Sequence, residues 1–278
     1  MGSATGSTAP SPEQLRAAAR VPAYGRQLLE VFSLRLVGPA AGGHPCGTVS
    51  IFDGQRGQIV YKRERDQPHR HHSSSRAQDG LTLTGPHRAI SAEGSFAITL
   101  DLDDGSQEPA SPSPEDEDGN KIGKIYRDIY QPSVEYDKII SQTVDTRCGP
   151  AEVTYAVLSN AVEGAVEVKL VDGGDGGVCG RIIARSRLFT VGTVLFDCEP
   201  DEGASAGEPT STMIPLARSV LAVPLVWPLT VEADLRSSSG DEIAKGCLEF
   251  YPELEGEHTK RLTGWNGDIE VKIKWWDH

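Results

Sequence analysis

Hydrophobic positions along this chain alternate with polar ones far more often than they recur at helical spacing. Phe32, Leu34 and Leu36 alternate with Ser33 and Arg35, and Phe96, Ile98, Leu100 and Leu102 alternate with Ala97, Thr99 and Asp101. A period of two puts every other side chain on one face, which is the pattern of a half-buried strand. It recurs at Val153–Val157, Val166–Leu170, Leu229–Ala233 and Ile269–Trp275. Thr48–Phe52 and Gln58–Lys62 flank Asp53-Gly54-Gln55-Arg56-Gly57, which reads as a hairpin connection. Shorter strand candidates lie at Arg181–Ala184, Val194–Asp197, Arg218–Val223 and Cys247–Tyr251, and Leu81 and Leu83 alternate as well. In Lys121–Gln131 the residues Ile122, Ile125 and Ile129 have helical spacing, but the β-branched and Tyr content favours a strand.

About a dozen short strands joined by Gly-, Pro- and Asp-rich turns predict an all-β fold, an antiparallel β-sandwich. Residues 1–26 read as a flexible tail with one short helix, Ser11 as N-cap, Pro12 at the first helical position and Gln14 completing a capping box. Residues 27–278 then form a single all-β domain, with polar loop insertions at about 64–79, 103–120 and 199–212.

Charge narrows the function classes. The 27 Lys and Arg against 40 Asp and Glu give a net charge of −13. That disfavours nucleic-acid binding by bulk electrostatics: no DNA partner is expected, and association with RNA or the ribosome stays open but draws no support from the net charge. Residues 101–120 hold eight acids and no base, while residues 62–76 hold five bases with His69, His71 and His72. Both read as solvated loops. The most apolar run, Val220–Val231, is interrupted by Pro224 and Pro228 and too short to span a bilayer, so no membrane association is expected. The first residues lack a secretory signal, and the five cysteines are odd in number without a C-x-x-C pair. These features predict free thiols and a cytoplasmic protein, with nothing barring the nucleus.

Candidate chemistry is sparse. His69, His71 and His72 offer imidazoles without a defined tetrahedral set, and Asp101, Asp103 and Asp104 bind calcium only if a second cluster such as Asp172 and Asp175 converges on them. The Gly-rich stretch Asp172–Gly180 has Cys179 where G-x-G-x-x-G needs its third Gly, and reads as a hairpin turn. No G-x-S-x-G elbow is present. No catalytic residue, metal site or cofactor is therefore predicted. Trp265, Trp275 and Trp276 are aromatic binding candidates. Alternation sends Trp275 and Trp276 to opposite faces, one of them into the core.

The stretch Leu81-Thr82-Leu83-Thr84-Gly85-Pro86-His87-Arg88-Ala89-Ile90, followed by Phe96–Leu100, resembles a domain-of-unknown-function family from grasses. The resemblance continues through Asn160–Val166, Pro215–Val223 and Val271–Trp275. Such domains also occur fused to ribosome-inactivating rRNA N-glycosylase domains of jasmonate-induced proteins. The glycosylase motif E-A-x-R is absent here, since Glu232-Ala233-Asp234-Leu235-Arg236 places Arg one residue late. The resemblance implies a plant stress or defence context; together with the many strands and the lack of a catalytic motif, it leads to the expectation of a non-catalytic module with an unidentified protein partner. A translation-linked ligand or RNA-cap-binding module is the alternative. Leu83, Thr84, Gly85, Pro86 and Arg88 form the signature turn, expected as a structural corner with Arg88 paired to a nearby carboxylate.

Overall fold

The computed structural model describes residues 24–38, 45–64, 80–103, 122–128, 130, 135–172, 177–199 and 213–277. The short helix expected near Ser11, the His69–His72 cluster and most of the acidic run lie outside them. The first half supplies β1 (Arg26–Leu36), β2 (Cys46–Phe52), β3 (Gly57–Arg63), β4 (Ile90–Ser91), β5 (Phe96–Asp103), β6 (Gly123–Arg127) and β7 (Ile140–Thr146). β8 (Gly149–Asp172) comes next. The second half supplies β9 (Val178–Ser186), β10 (Thr193–Cys198), β11 (Val220–Pro224), β12 (Leu229–Ser237), β13 (Glu242–Phe250), β14 (Glu255–Thr263) and β15 (Asp268–Trp276). The fold is all-β, with three antiparallel sheets in a sandwich arrangement.

β8 organises everything else. Its first half pairs with β1 and β7, and its second half with β11 and β15, so one 24-residue strand runs through the large sheet. β3-β2-β5-β6 covers the first half and encloses a core including Leu34, Ile51, Ile98, Leu100, Val153 and Tyr155. β10-β9-β12-β13 covers the second half around Val166, Val168, Ile182, Leu235, Ile273 and Trp275. Each such buried side chain contributes about 1.5–3 kcal/mol relative to exposure.

Of the irregularities in the pairing of β8, the one near its middle lets the strand serve both cores. Arg26 and Leu28 of β1 pair with Ala161 and Leu158 of β8, so β8 carries one extra residue there. A bulge shifts the side-chain phase by one. Buried positions run Val153, Tyr155, Val157 before it and Val162, Val166, Val168 after it, which keeps one side of the strand core-facing throughout.

Where the halves meet, Glu30 of β1 is buried against Arg218, which precedes β11. Arg218 Nη2 lies 2.9 Å from both carboxylate oxygens, and its Nη1 and Nε donate to the carbonyls of Val31 and Val220. Thr193 Oγ1 and the Ala222 N–H donate to the same carboxylate at 2.8 Å. Phe32 and Phe189 meet edge-on beside this network.

Two sequence readings are corrected. Leu81–Leu83 is no strand: Leu81 N–H donates to Leu34 of the large sheet and the following Thr84 N–H to Val60 of β3, so the chain crosses between sheets here. Asp172–Gly180 is no hairpin, because β8 and β9 belong to different sheets.

Candidate functional site

The signature turn is the corner that carries this crossing. Gly85 and Pro86 are buried, joined by a cis peptide, and a Cβ on Gly85 would collide with the Ile59 carbonyl. Leu83 is core, whereas Thr84 is exposed. Gln58 of β3 grips the next two residues: its Oε1 accepts from the N–H groups of His87 and Arg88 at 3.2 Å, and its Nε2 donates to the Arg88 carbonyl. Arg88 in turn pairs with Asp53 at 3.1 Å.

Asp53 caps the β2–β3 turn, with Oδ1 accepting from the Gln55 and Arg56 N–H groups. Burial pushes its carboxyl up, but those two N–H donors and Arg88 outweigh it, and the group sits below the usual aspartate range. A carboxyl whose folded value is depressed stabilises the fold above its unfolded value, and the contribution is lost as pH falls through the folded one. Asp53→Asn is therefore expected to flatten the dependence of the urea midpoint on pH below about pH 4. An unchanged slope would remove Asp53 from the acid response.

Beyond the corner lies a cleft of about 430 Å³, lined among others by Arg26, Asp53, Arg56, Arg88, Glu163 and Trp276. Ala89 N–H donates to Glu163 Oε2 at 2.6 Å, which ties the signature turn to β8. Thus Arg88 and Trp276, which the sequence offers as unrelated candidates, share one cavity. The other two tryptophans do not join them. Trp275 is fully buried under Gly164 of β8, with no ring surface to offer a ligand. Trp265 is 87% exposed in the β14–β15 turn, whereas Trp276 sits at the far end of that hairpin opposite Glu255. No joint stacking surface of the three exists.

The acids of β5 are engaged elsewhere, since Arg147 pairs with Asp101 and lies 3.8 Å from Asp103. Asp172 ends β8 in the other half of the molecule. Among the described residues no three His, Cys, Asp or Glu gather as a metal site.

A surface that the sequence reading missed arises from the β8 bulge. Asn160 accepts the Gly25 N–H on Oδ1 at 2.6 Å and the Leu225 N–H on its carbonyl at 3.0 Å. It therefore holds together two loops whose next residues are exposed: Tyr24 (77%), Val226 (73%) and Trp227 (41%). Trp227 lies between Pro224 and Pro228 in a turn closed by its N–H donating to the Pro224 carbonyl. Reading Leu225–Trp227 as part of an apolar run hid it; the two flanking prolines were the available signal.

A family model for a domain of unknown function, DUF6598, matches residues 28–273. The chain belongs to that family. The match takes in both halves of this DUF6598 domain, the signature corner and Glu163, and ends three residues before Trp276. Among curated proteins no match is found. Among solved structures, a two-domain segment of extended-synaptotagmin 2 aligns over 99% of this chain and 96% of its own, at 11% identity and a TM-score of 0.25. Human GIVD cytosolic phospholipase A2 aligns over 92% of this chain and 31% of its own, at 11% identity and a TM-score of 0.27. The DUF6598 chain thus spans about a third of that phospholipase. Likenesses this slight carry no argument about activity.

Proposed function

We propose that this chain is a non-catalytic protein-interaction module acting in a plant stress or defence setting. The observation that supports it is the Tyr24–Val226–Trp227 surface. Exposed tyrosine and tryptophan beside an aliphatic residue, held by a rigid turn, are the groups that dominate protein–protein binding energy. The setting rests on the resemblance carried by Leu81–Ile90.

The test is affinity capture from stressed cereal leaf extract with the full chain, followed by titration of the recovered partner. Val226→Asp puts a charge into the surface, where a lost hot spot weakens binding by about thirtyfold. Because Val226 is exposed, unfolding free energy is expected to stay within about 0.5 kcal/mol of the original. A partner that binds Val226→Asp as tightly as the original chain sinks the assignment.

A further inference from the structure

Trp276 and Glu163 are register partners across β15 and β8, so their side chains leave the same face of the sheet side by side. Both line the cleft beneath the signature corner. Its volume, about 430 Å³, lies within the range of small-molecule sites.

The hydrogen-bonding capacity left on each group specifies the ligand. Glu163 gives Oε2 to the Ala89 N–H, and its Oε1, acceptor-only when ionised, remains for a donor. Arg88 uses Nη2 on Asp53 and Nη1 on the Ala89 carbonyl, which leaves further N–H groups of its five-donor fork. Arg56 is exposed, and among the described residues its guanidinium has no ion-pair partner. Lys274 Nζ stands 5.6 Å from the centre of the Trp276 ring. The site thus combines an aromatic plane, a pinned carboxylate at its edge and cations beyond.

We propose that this cleft binds a guanine nucleotide. The base stacks on Trp276, the usual way an aromatic side chain holds a nucleobase. Its adjacent N1–H and N2–H₂ donors face Glu163, and the phosphate meets Arg56 and Arg88. Adenine is rejected because its N1 is an acceptor and would point a lone pair at the carboxylate. Asp277, also in the lining, adds a second acceptor and opposes a second phosphate-binding mode. With a chain charge of −13 the phosphate is held locally, not by the bulk field, and affinity falls with salt.

Isothermal titration of the full chain at low salt with GDP, ADP, guanosine and inorganic phosphate tests this. GDP is expected to bind about tenfold or more tighter than ADP, the discrimination a paired base edge provides. Guanosine binds more weakly than GDP, and phosphate alone does not saturate. Trp276→Ala abolishes binding and Trp276→Phe restores part of it. Arg56→Ala lowers GDP affinity towards that of guanosine, Arg88 still meeting the phosphate, and leaves guanosine unchanged. Glu163→Gln keeps an oxygen for Ala89 and brings ADP level with GDP. An RNA hexamer starting with 5′-triphosphoguanosine, run against GTP, separates a transcript end (tighter) from the free nucleotide (equal). Equal binding of GDP and ADP by the original chain, no saturable binding, or an Arg56→Ala variant that binds GDP undiminished overturns the proposal. Val226→Asp is expected to leave the GDP titration unchanged, so failure of the partner surface and of the cleft are read separately.

Discussion

Replacing Arg218 with methionine is expected to lower the unfolding free energy by about 3–5 kcal/mol, read from the urea midpoint at pH 7.5. The cause is what stays behind. Glu30 is 3% exposed and would keep only Thr193 and the Ala222 N–H, while the carbonyls of Val31 and Val220 lose their donor. Removing one partner of a buried pair leaves an uncompensated charge. Glu30→Gln combined with Arg218→Met removes that charge and is expected to recover more than half of the loss, a coupling that a double-mutant cycle measures. pH gives an independent readout. Burial pushes the Glu30 carboxyl above its ordinary value even with Arg218 and the hydrogen bonds pulling it down. Without Arg218 it rises further, so the folded state holds the proton more tightly than the unfolded chain. Stability of the variant then falls as pH rises through the folded value, and its deficit is smaller at pH 5 than at pH 8. A deficit that does not change with pH would show that Glu30 is not the group left stranded.

Trp275→Ala is expected to cost about 3–5 kcal/mol, as for other buried aromatic truncations. The indole is fully buried, and it lies over its register partner Gly164, where a Cβ would stand 2.6 Å from the ring. Size is only part of the account, because Trp275 Nε1 is buried and finds no hydrogen-bond partner among the described residues. Phenylalanine removes that unpaired donor along with some volume. An unsatisfied buried donor costs about 1–3 kcal/mol. Trp275→Phe is therefore expected to lose less than half as much as Trp275→Ala. Gly164→Ala alone is expected to destabilise by overpacking, and to be better tolerated beside Trp275→Leu. Calorimetry of these variants, with Trp275→Leu alone to close the cycle, checks both statements. Additive effects at 164 and 275 would contradict the packing.

How much of this was legible depends on the element. β5 and β15 could be read residue by residue, because each has one face in a core and one towards solvent. β8 was legible only as two strands, Val153–Val157 and Val166–Leu170. The bulge inverts the phase between them, and the stretch Val153–Leu158 is almost wholly buried, so alternation fades where the strand is best protected. β7 and β14 gave no signal. Their sequences, ISQTVDT and EGEHTKRLT, belong to strands with little or nothing buried, and no apolar period marks them. Of the site, the corner was readable in Leu83–Arg88, since Gly and Pro announce a turn wherever they fall. Its carboxylate partner was not, because Asp53 lies 35 residues away and only the β2–β3 turn brings it near. Trp276 and Glu163 face each other through strand pairing, which one-dimensional spacing does not encode.

A strand common to two sandwiches also limits how this chain can be divided. Severing it near Asn160 would leave each half-sheet its own stretch of β8, but would release Glu30 from Arg218 and open the apolar contacts that Leu28 and Phe32 share with Phe189 and Ala222. Each half is thus less stable alone than in the whole chain, and the buried pair couples the unfolding of one half to that of the other. Where such a domain is joined to another, a junction outside residues 24–277 keeps that buried pair intact, whereas a seam at the midpoint breaks it.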